Sequence, residues 1–173
     1  SDGSLSTLGD ASFRVIVSVS VLHHIPDYRQ AIRDATTKHL EEGGSFITFQ
    51  DPLWYKSCGR TVRVVDTIAY HSWRLFQGRY LEGLRTRYRR LRGIYDETMT
   101  ADMVEYHVVR QGVDSRAILH DLSGDFEQCS LLTYWSTQSG FWQRLGEMMG
   151  LENTFGVMAS GYKPRHDSSA RPG

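Results

Sequence analysis

The chain has 173 residues, 20 basic and 20 acidic side chains, and an apolar share of 40%. These values indicate a globular domain with its own core and exclude a disordered or strongly charged chain. Every apolar run is shorter than the roughly 18 residues of a membrane-spanning helix. The two cysteines, Cys58 and Cys129, are too few for a disulfide scaffold, so we expect free thiols in the cytoplasm.

The first elements along the chain form a strand–helix–strand pattern. Residues 13–19 carry β-branched side chains on both alternating sets, as in a strand covered on both faces. Asp27 is placed to cap an amphipathic helix that Gly43-Gly44 would end. Residues 45–50 form the next strand. So short a connection predicts a right-handed crossover and parallel pairing.

Polar side chains with catalytic potential follow both strands. His23 and His24 come after the first strand, and Asp51 comes after the second. The carboxyl ends of adjacent parallel strands lie at one edge of the sheet, where α/β proteins bind ligands. The sequence therefore predicts that His23, His24 and Asp51 share one crevice. A metal site is not expected, because adjacent histidines do not easily bind one ion and the other histidines lack ligand spacing.

A long helical insertion follows Asp51. More than 70 residues separate Asp51 from Phe126, where a crossover needs only about 10–12. The spacing predicts helices over residues 57–92, 100–111 and 115–122, forming a lid over the crevice. Four aromatic side chains could line a substrate pocket from above, and packing within the insertion is the alternative: Trp54, Tyr55, Tyr70 and Trp73.

The insertion also concentrates positive charge. From Lys56 to Arg92 there are ten Lys/Arg and two Asp/Glu, so this stretch is about +8 and the remainder about −8. A solvated helix face is one interpretation, and a basic lid over an anionic substrate is another. The arginines within residues 85–92 also suggest an enzyme that modifies nucleic acids, although the zero net charge argues against this function.

The remaining chain predicts a strand over 126–137, a helix over 140–149 and a last strand over 154–162. The tail, residues 165–173, is rich in Ser, Pro and Arg and is expected to be disordered. The predicted organisation is a core over 1–52, a helical insertion over 53–122, core edge strands over 123–164, and this tail.

Two motifs carry a family resemblance. Val19-Ser-Val-Leu-His-His-Ile-Pro-Asp27, followed by Leu40-Glu-Glu-Gly-Gly44, resembles class I S-adenosylmethionine-dependent methyltransferases around their fourth strand, fourth helix and fifth strand. Gly161-Tyr162-Lys163-Pro164 is similar to that family's antiparallel edge hairpin. The resemblance implies a partial Rossmann-like α/β fold, a mostly parallel sheet of strands four to seven, and S-adenosyl-L-methionine as cofactor.

The resemblance also implies cofactor-binding residues. The main chain at the end of the fourth strand approaches the methionine part of the cofactor in this family, which corresponds to Ser18, Val19 and Ser20. Leu22 and His23 would lie beneath it. Asp2 stands eleven residues before Phe13, the spacing of a family Asp that contacts the adenine amine.

The sequence departs from the family pattern in two respects. Arg14 stands where the family usually has Asp. The glycine-rich loop after the first strand and the acidic residue that grips the ribose have no counterpart. A sheet that ends at the fourth strand exposes an apolar edge. We therefore expect a fragment or truncated product that associates with a complementing N-terminal segment or forms a homo-oligomer.

The implied chemistry is methyl transfer to a small molecule, most simply to a hydroxyl of a natural product, sugar or lipid-like acceptor. An oxygen nucleophile gains from a base, and a neutral imidazole is suited to that role. His24 is the candidate base, Asp51 would orient it, and His23 is the substitute. The alternatives are a structural histidine that caps the turn, and a non-catalytic half-domain that pairs with a complete methyltransferase.

Overall fold

The computed structural model describes residues 5–76 and 112–164. Its strands are β1 (Phe13–Val19), β2 (Leu40–Pro52), β3 (Phe126–Tyr134) and β4 (Thr154–Tyr162). Its helices are α1 (Tyr28–His39), α2 (Arg60–Phe76), α3 (Ser115–Ser123) and α4 (Gly140–Met148). Four features predicted from the sequence lie outside the described residues: Asp2, residues 77–92 of the basic segment, the helix over 100–111, and the tail over 165–173. No helix within them is long and apolar enough to cross a bilayer.

The four strands form one open, mixed sheet in the order β1-β2-β4-β3. β1 and β2 are parallel, in register from Val15 opposite Ser45 to Val19 opposite Phe49. The expectation of a mostly parallel sheet is wrong. β4 lies between β2 and β3 and runs antiparallel to both, so two of the three pairings are antiparallel. The fold class is therefore α/β with a mixed sheet.

The chain divides into two compact units, and the division falls within β2, β3 and β4. Unit 1 contains Ser1–Phe49, Asp114–Leu132 and Gly156–Gly173, and so includes β1, α1 and α3. Unit 2 contains Gln50–Val113 and Thr133–Phe155, and so includes α2 and α4. The boundaries inferred from sequence at residues 52, 122 and 164 stay a prediction.

Helix α1 begins as predicted and ends earlier. Asp27 caps it, because the Asp27 carboxylate accepts a hydrogen bond of 3.1 Å from the Gln30 backbone N–H. The helix ends at His39, and β2 starts at the next residue, so Gly43-Gly44 belongs to the strand rather than to a helix stop. A Cβ at Gly44 would lie 2.9 Å from the Arg14 carbonyl oxygen. Glycine is therefore needed where β2 approaches β1.

Helices α1 and α3 are joined by a two-pronged ion pair in unit 1. Arg29 donates from Nε and Nη2 to the two carboxylate oxygens of Asp121, each at 2.6 Å. The hydrogen bond from Arg29 lowers the pKa of Asp121. Asp114 caps α3 by accepting from the backbone N–H groups of Arg116 and Ala117. The Arg29–Asp121 pair therefore joins α1 to α3 near the surface.

The core of unit 1 lies on one face of the sheet. Alternate positions of β2 and β4 are almost fully buried, and they are joined there by apolar side chains of α1 and α3. The buried residues of this core are Phe46, Thr48, Val157, Ala159, Ile32, Ile118 and Leu122.

Within unit 2, the two ends of the segment between residues 53 and 113 pair with each other. Val113 donates to the Pro52 carbonyl at 2.9 Å, and Trp54 donates to the Val113 carbonyl at 3.0 Å. Leu53 and Val113 thereby form a parallel bridge. Gly112 has φ +94°, and a Cβ there would collide with the Leu53 carbonyl oxygen. The insertion therefore starts and ends at one short two-stranded base.

Tryptophan side chains join α2 and α4 within unit 2. The indole N–H of Trp142, on α4, donates to the Ser72 hydroxyl on α2 at 2.6 Å. Trp135 is buried and donates to the Trp142 carbonyl at 2.9 Å. A Cβ at Gly146 would overlap the Trp135 ring, so α4 packs its glycine directly against that indole.

Gly112→Ala should destabilise unit 2 by about 1–3 kcal/mol, because alanine is strained at this φ and meets the Leu53 backbone. Urea unfolding followed by circular dichroism measures the change. Gly59→Ala is the control, since no atom lies within 4 Å of a Cβ at that position. Equal stability of the two variants would contradict this account of the insertion's base.

Candidate functional site

The chain makes an unusual turn where β1 ends. Ser20 has φ +53°, a left-handed conformation that is uncommon for residues other than glycine. Its backbone N–H donates to the Phe49 carbonyl at 2.9 Å, which ties the turn to β2. Such conformations cost about 1–3 kcal/mol and cluster at functional sites. The carboxyl end of the parallel pair β1–β2 is therefore the first candidate site in unit 1.

A single turn of 3-10 helix, Leu22–His24, follows Ser20. The His24 N–H bonds to the Val21 carbonyl at 2.9 Å, and Leu22 is only 3% exposed. Leu22 thus anchors the turn from below, and its predicted place beneath the cofactor stays a prediction. The rings of His23 and His24 lie 4.3 Å apart between centroids and are tilted by 32°. His23 is half-buried and His24 is exposed.

Ser18 and Val19 precede this turn on β1. The Ser18 hydroxyl is buried, and it is one of two buried side-chain atoms without a hydrogen-bond partner in the described ranges, with Arg63 Nε. Val19 is exposed on the opposite face of the strand. A buried hydroxyl without a partner is costly, and Ser18 lies opposite the buried Thr48 in the parallel pairing.

Asp51 is completely buried near the end of β2 and belongs to unit 2. His23 and His24 belong to unit 1. Asp51 takes part in at least one polar interaction, as do both histidines, so none of these three side chains is idle. The pairing of His24 with Asp51 stays a prediction.

A hydrogen-bonded network in unit 2 escaped the sequence analysis. Gln50 has φ +67°, and its backbone N–H donates to the Tyr134 hydroxyl at 3.0 Å. That hydroxyl donates to the Gln50 side-chain carbonyl at 3.1 Å, and the Gln50 amide donates to the Ser136 hydroxyl at 2.8 Å. Ser20 and Gln50 are the two non-glycine residues with positive φ in the described part of the chain.

Asn153 connects that network to α2. Its side-chain amide donates to Asp66 at 2.8 Å and to the Ser136 carbonyl at 3.0 Å. Its side-chain carbonyl accepts from the Ser136 N–H at 2.8 Å and from the Thr154 hydroxyl at 2.9 Å. No sequence motif indicates this role, because the partners Asp66 and Ser136 lie 87 and 17 residues away along the chain.

Asp66 is a carboxyl group of unit 2 whose surroundings shift its pKa. Burial raises the pKa of Asp66, and the hydrogen bond from Asn153 opposes that shift. Burial also raises the pKa of the Cys58 thiol, with the Asp66 charge as the second cause. Asp66 is thus a half-buried carboxyl group that accepts a hydrogen bond from one amide, a setting that occurs both at structural and at catalytic sites.

The four aromatic residues predicted to line a substrate pocket all lie in unit 2. Two of them are covered by cations: the Lys56 ammonium lies 5.3 Å from the Trp54 ring centroid, and the Arg63 guanidinium lies 5.1 Å from that of Tyr55. Tyr70 is exposed and meets His71 edge-on at 5.5 Å. Trp73 is half-buried on α2. Their role as a pocket lining stays a prediction.

The described residues contain no cluster of three or more His, Cys, Asp or Glu side chains that could hold a metal ion. No protein-family model matches the chain, and no curated protein matches its sequence.

Asp66→Asn tests the burial of this carboxyl. A raised pKa in the folded state stabilises the protein below the unfolded pKa of about 3.9, and this contribution is lost as pH rises through the folded value. Asparagine keeps a carbonyl for Asn153 and carries no charge. The variant should therefore gain stability relative to the parent chain from pH 4 to pH 7, as measured by urea unfolding.

The exposed carboxyl Asp10 supplies the control, since Asp10→Asn replaces a group in water. A stability difference for Asp66→Asn that stays constant over the same pH range would refute a raised pKa at this position.

Proposed function

We propose that this chain carries strands four to seven of a Rossmann-like, class I S-adenosylmethionine-dependent methyltransferase. The observation that supports it most is the parallel pairing of β1 with β2, joined by α1 and ending in the left-handed turn at Ser20. The resemblance predicts such a unit for the fourth and fifth strands. It also predicts a terminal antiparallel pair, to which β3 and β4 correspond.

The residues at the end of β1 fit the methionine part of S-adenosyl-L-methionine. Ser18 and Val19 would contribute their main chain at the strand end, as the resemblance implies. Ser20 holds the main chain in a left-handed turn, and buried Leu22 supports it from below. Ser18, Val19, Ser20, Leu22 and His23 would therefore hold this end of the cofactor. The adenine contact proposed for Asp2 lies outside the described residues.

Bound S-adenosyl-L-methionine supplies an activated methyl group. The protein's task is then to orient an acceptor hydroxyl and to receive its proton. His24 is exposed on the turn after β1, where an incoming acceptor could reach the imidazole, and neutral imidazole accepts protons near pH 7. Asp51 is a fully buried carboxyl group, and in the proposed dyad it holds the imidazole tautomer and stabilises the cation that forms.

The acceptor is proposed to be a small hydroxylated molecule, such as a natural product, sugar or lipid-like compound. The supporting feature is the aromatic character of the segment after β2, where Trp54, Tyr55, Tyr70 and Trp73 offer ring surfaces. Lys56 and Arg63 add positive charge beside two of those rings. An acceptor with a planar group and an anionic substituent would match both properties.

The cytoplasm is the proposed location. Both cysteines, Cys58 and Cys129, are free thiols, and burial raises the pKa of each. Thiols of this kind persist in a reducing compartment.

Calorimetric titration with S-adenosyl-L-methionine tests the cofactor, and the parent chain for this test is the chain completed by the N-terminal segment that would supply strands one to three. Ser20→Gly should bind it within about threefold of the parent chain, because glycine readily adopts this φ. Ser20→Val should bind it at least about tenfold more weakly, since a β-branched residue resists the left-handed turn. Circular dichroism checks that both variants are folded.

A folded parent chain that takes up no S-adenosyl-L-methionine would contradict the proposal and favour the non-catalytic half-domain. Equal binding by Ser20→Gly and Ser20→Val would leave cofactor binding intact and refute the role given to this turn.

His24→Ala tests the base. Transfer of labelled methyl groups from S-adenosyl-L-methionine to a panel of hydroxylated aromatic and sugar acceptors measures turnover. The variant should lose about 10²–10⁴-fold in kcat, the usual contribution of a general base. His120→Ala is the control, because His120 is exposed on α3. If His24→Ala and Asp51→Asn both keep near-parental turnover, the dyad does not act as a base.

A further inference from the structure

Positive charge is concentrated in unit 2 where α2 begins. Residues 54–63, which we term the basic turn, contain Lys56, Arg60 and Arg63 and no acidic residue, so their charge is +3. Helix α2 follows directly after Gly59, which has no side chain to cap it, and its first turn contains no acidic residue. The partial positive charge of a helix N-terminus adds to that of the side chains.

The basic turn folds back on itself. The Cys58 N–H donates to the Tyr55 carbonyl at 3.3 Å, which closes the loop before α2. Arg63, in the first turns of α2, reaches back over that loop, so that its guanidinium lies 5.1 Å from the Tyr55 ring centroid. The Lys56 ammonium lies 5.3 Å from the ring centroid of Trp54. Two cations are therefore held against the rings of two consecutive residues.

These cations have no counter-charge within the described part of the chain. None of the ion pairs among residues 5–76 and 112–164 involves Lys56, Arg60 or Arg63. In the same ranges, Arg63 Nε is buried and donates to no acceptor. Asp66, the acidic residue of α2, accepts from Asn153 instead. A buried charged donor without a partner costs free energy, and an anion beside the guanidinium would reduce that cost.

We infer that the basic turn binds the phosphate group of a small molecule. A phosphate monoester has a charge of about −1.5 to −2 at pH 7 and three acceptor oxygens. Its charge is closer in size to the +3 of the basic turn than the single charge of a carboxylate is. A guanidinium binds phosphate oxygens through parallel N–H donors, and an ammonium adds a point charge. Arg63 and Lys56 take these two roles, and the 41% exposed Tyr55 ring leaves room for a ligand beside them.

The surface next to the basic turn favours a small ligand over a nucleic-acid strand. A strand presents a row of phosphodiesters and needs an extended basic surface. Val64 and Ile68 follow Arg60 at intervals of four residues, so they lie along the same side of α2. They are 57% and 47% exposed. Apolar side chains thus interrupt the positive surface within two turns of Arg60.

This inference deepens the proposed function and rests on it in one respect, that the phosphate-bearing ligand is the methyl acceptor. Binding itself is measured without cofactor and without turnover. A chain that binds phosphate monoesters but no S-adenosyl-L-methionine would contradict the proposed function and leave the phosphate site intact. A chain that binds the cofactor but no phosphate monoester would do the reverse.

Calorimetric titration of the full-length chain with phenyl phosphate, at neutral pH and low salt, measures the affinity. Phenyl phosphate should bind at least about fivefold more tightly than benzoate, because its charge is larger. Arg63→Gln should weaken phenyl phosphate at least about tenfold, and Lys56→Gln at least about threefold. Arg116→Gln is the matched control, since Arg116 is an exposed arginine in the first turn of α3. It should bind as the parent chain does.

Circular dichroism verifies that each variant is folded, and Lys56→Gln changes an exposed side chain. A parent chain that does not bind phenyl phosphate at millimolar concentration would overturn the inference. So would equal affinities for benzoate and phenyl phosphate, or unchanged binding by both Arg63→Gln and Lys56→Gln. Displacement of phenyl phosphate by micromolar single-stranded oligonucleotide would also overturn it, in favour of a nucleic-acid surface.

Discussion

The parallel pairing of β1 with β2 is the constraint on which unit 1 depends. It sets Val15–Val19 beside Ser45–Phe49, and it thereby decides which side chains enter the core and which remain exposed on the opposite face of the sheet. Because side chains alternate along a strand, a shift of one residue would exchange these two sets. The close approach of Gly44 to Arg14 and the bond from Ser20 to Phe49 hold the register at its two ends.

The same pairing explains how the candidate site is built. A chain that leaves β1 in an ordinary extended conformation would continue past the sheet edge. The left-handed Ser20 instead turns it back, so that Leu22 enters the core and the two histidines are presented beside each other. Backbone strain at this point is offset by the buried leucine and by the bond to Phe49. At this turn, the strain of the local backbone conformation is thus balanced by packing and hydrogen bonding to residues distant in the sequence.

Sequence periodicity predicted the local elements well, since α3, α4, β3 and β4 appear within a few residues of their expected bounds. It failed where distant parts of the chain decide the outcome. Gly43-Gly44 has the signature of a helix stop, but its neighbour across the sheet makes it part of a strand. The position of β4 between β2 and β3 depends on pairing with a strand distant in sequence, and Asn153 gains its role from partners far along the chain. Neither feature produces a periodic pattern in the sequence.

The division into two units has an optical consequence. All four tryptophans of the chain, at positions 54, 73, 135 and 142, belong to unit 2. Indole emission therefore reports on that unit alone, while unit 1 contributes tyrosine and phenylalanine signals. If the units lose structure at different denaturant concentrations, fluorescence and far-ultraviolet ellipticity would give non-coincident transitions, which reveal independent unfolding without any label.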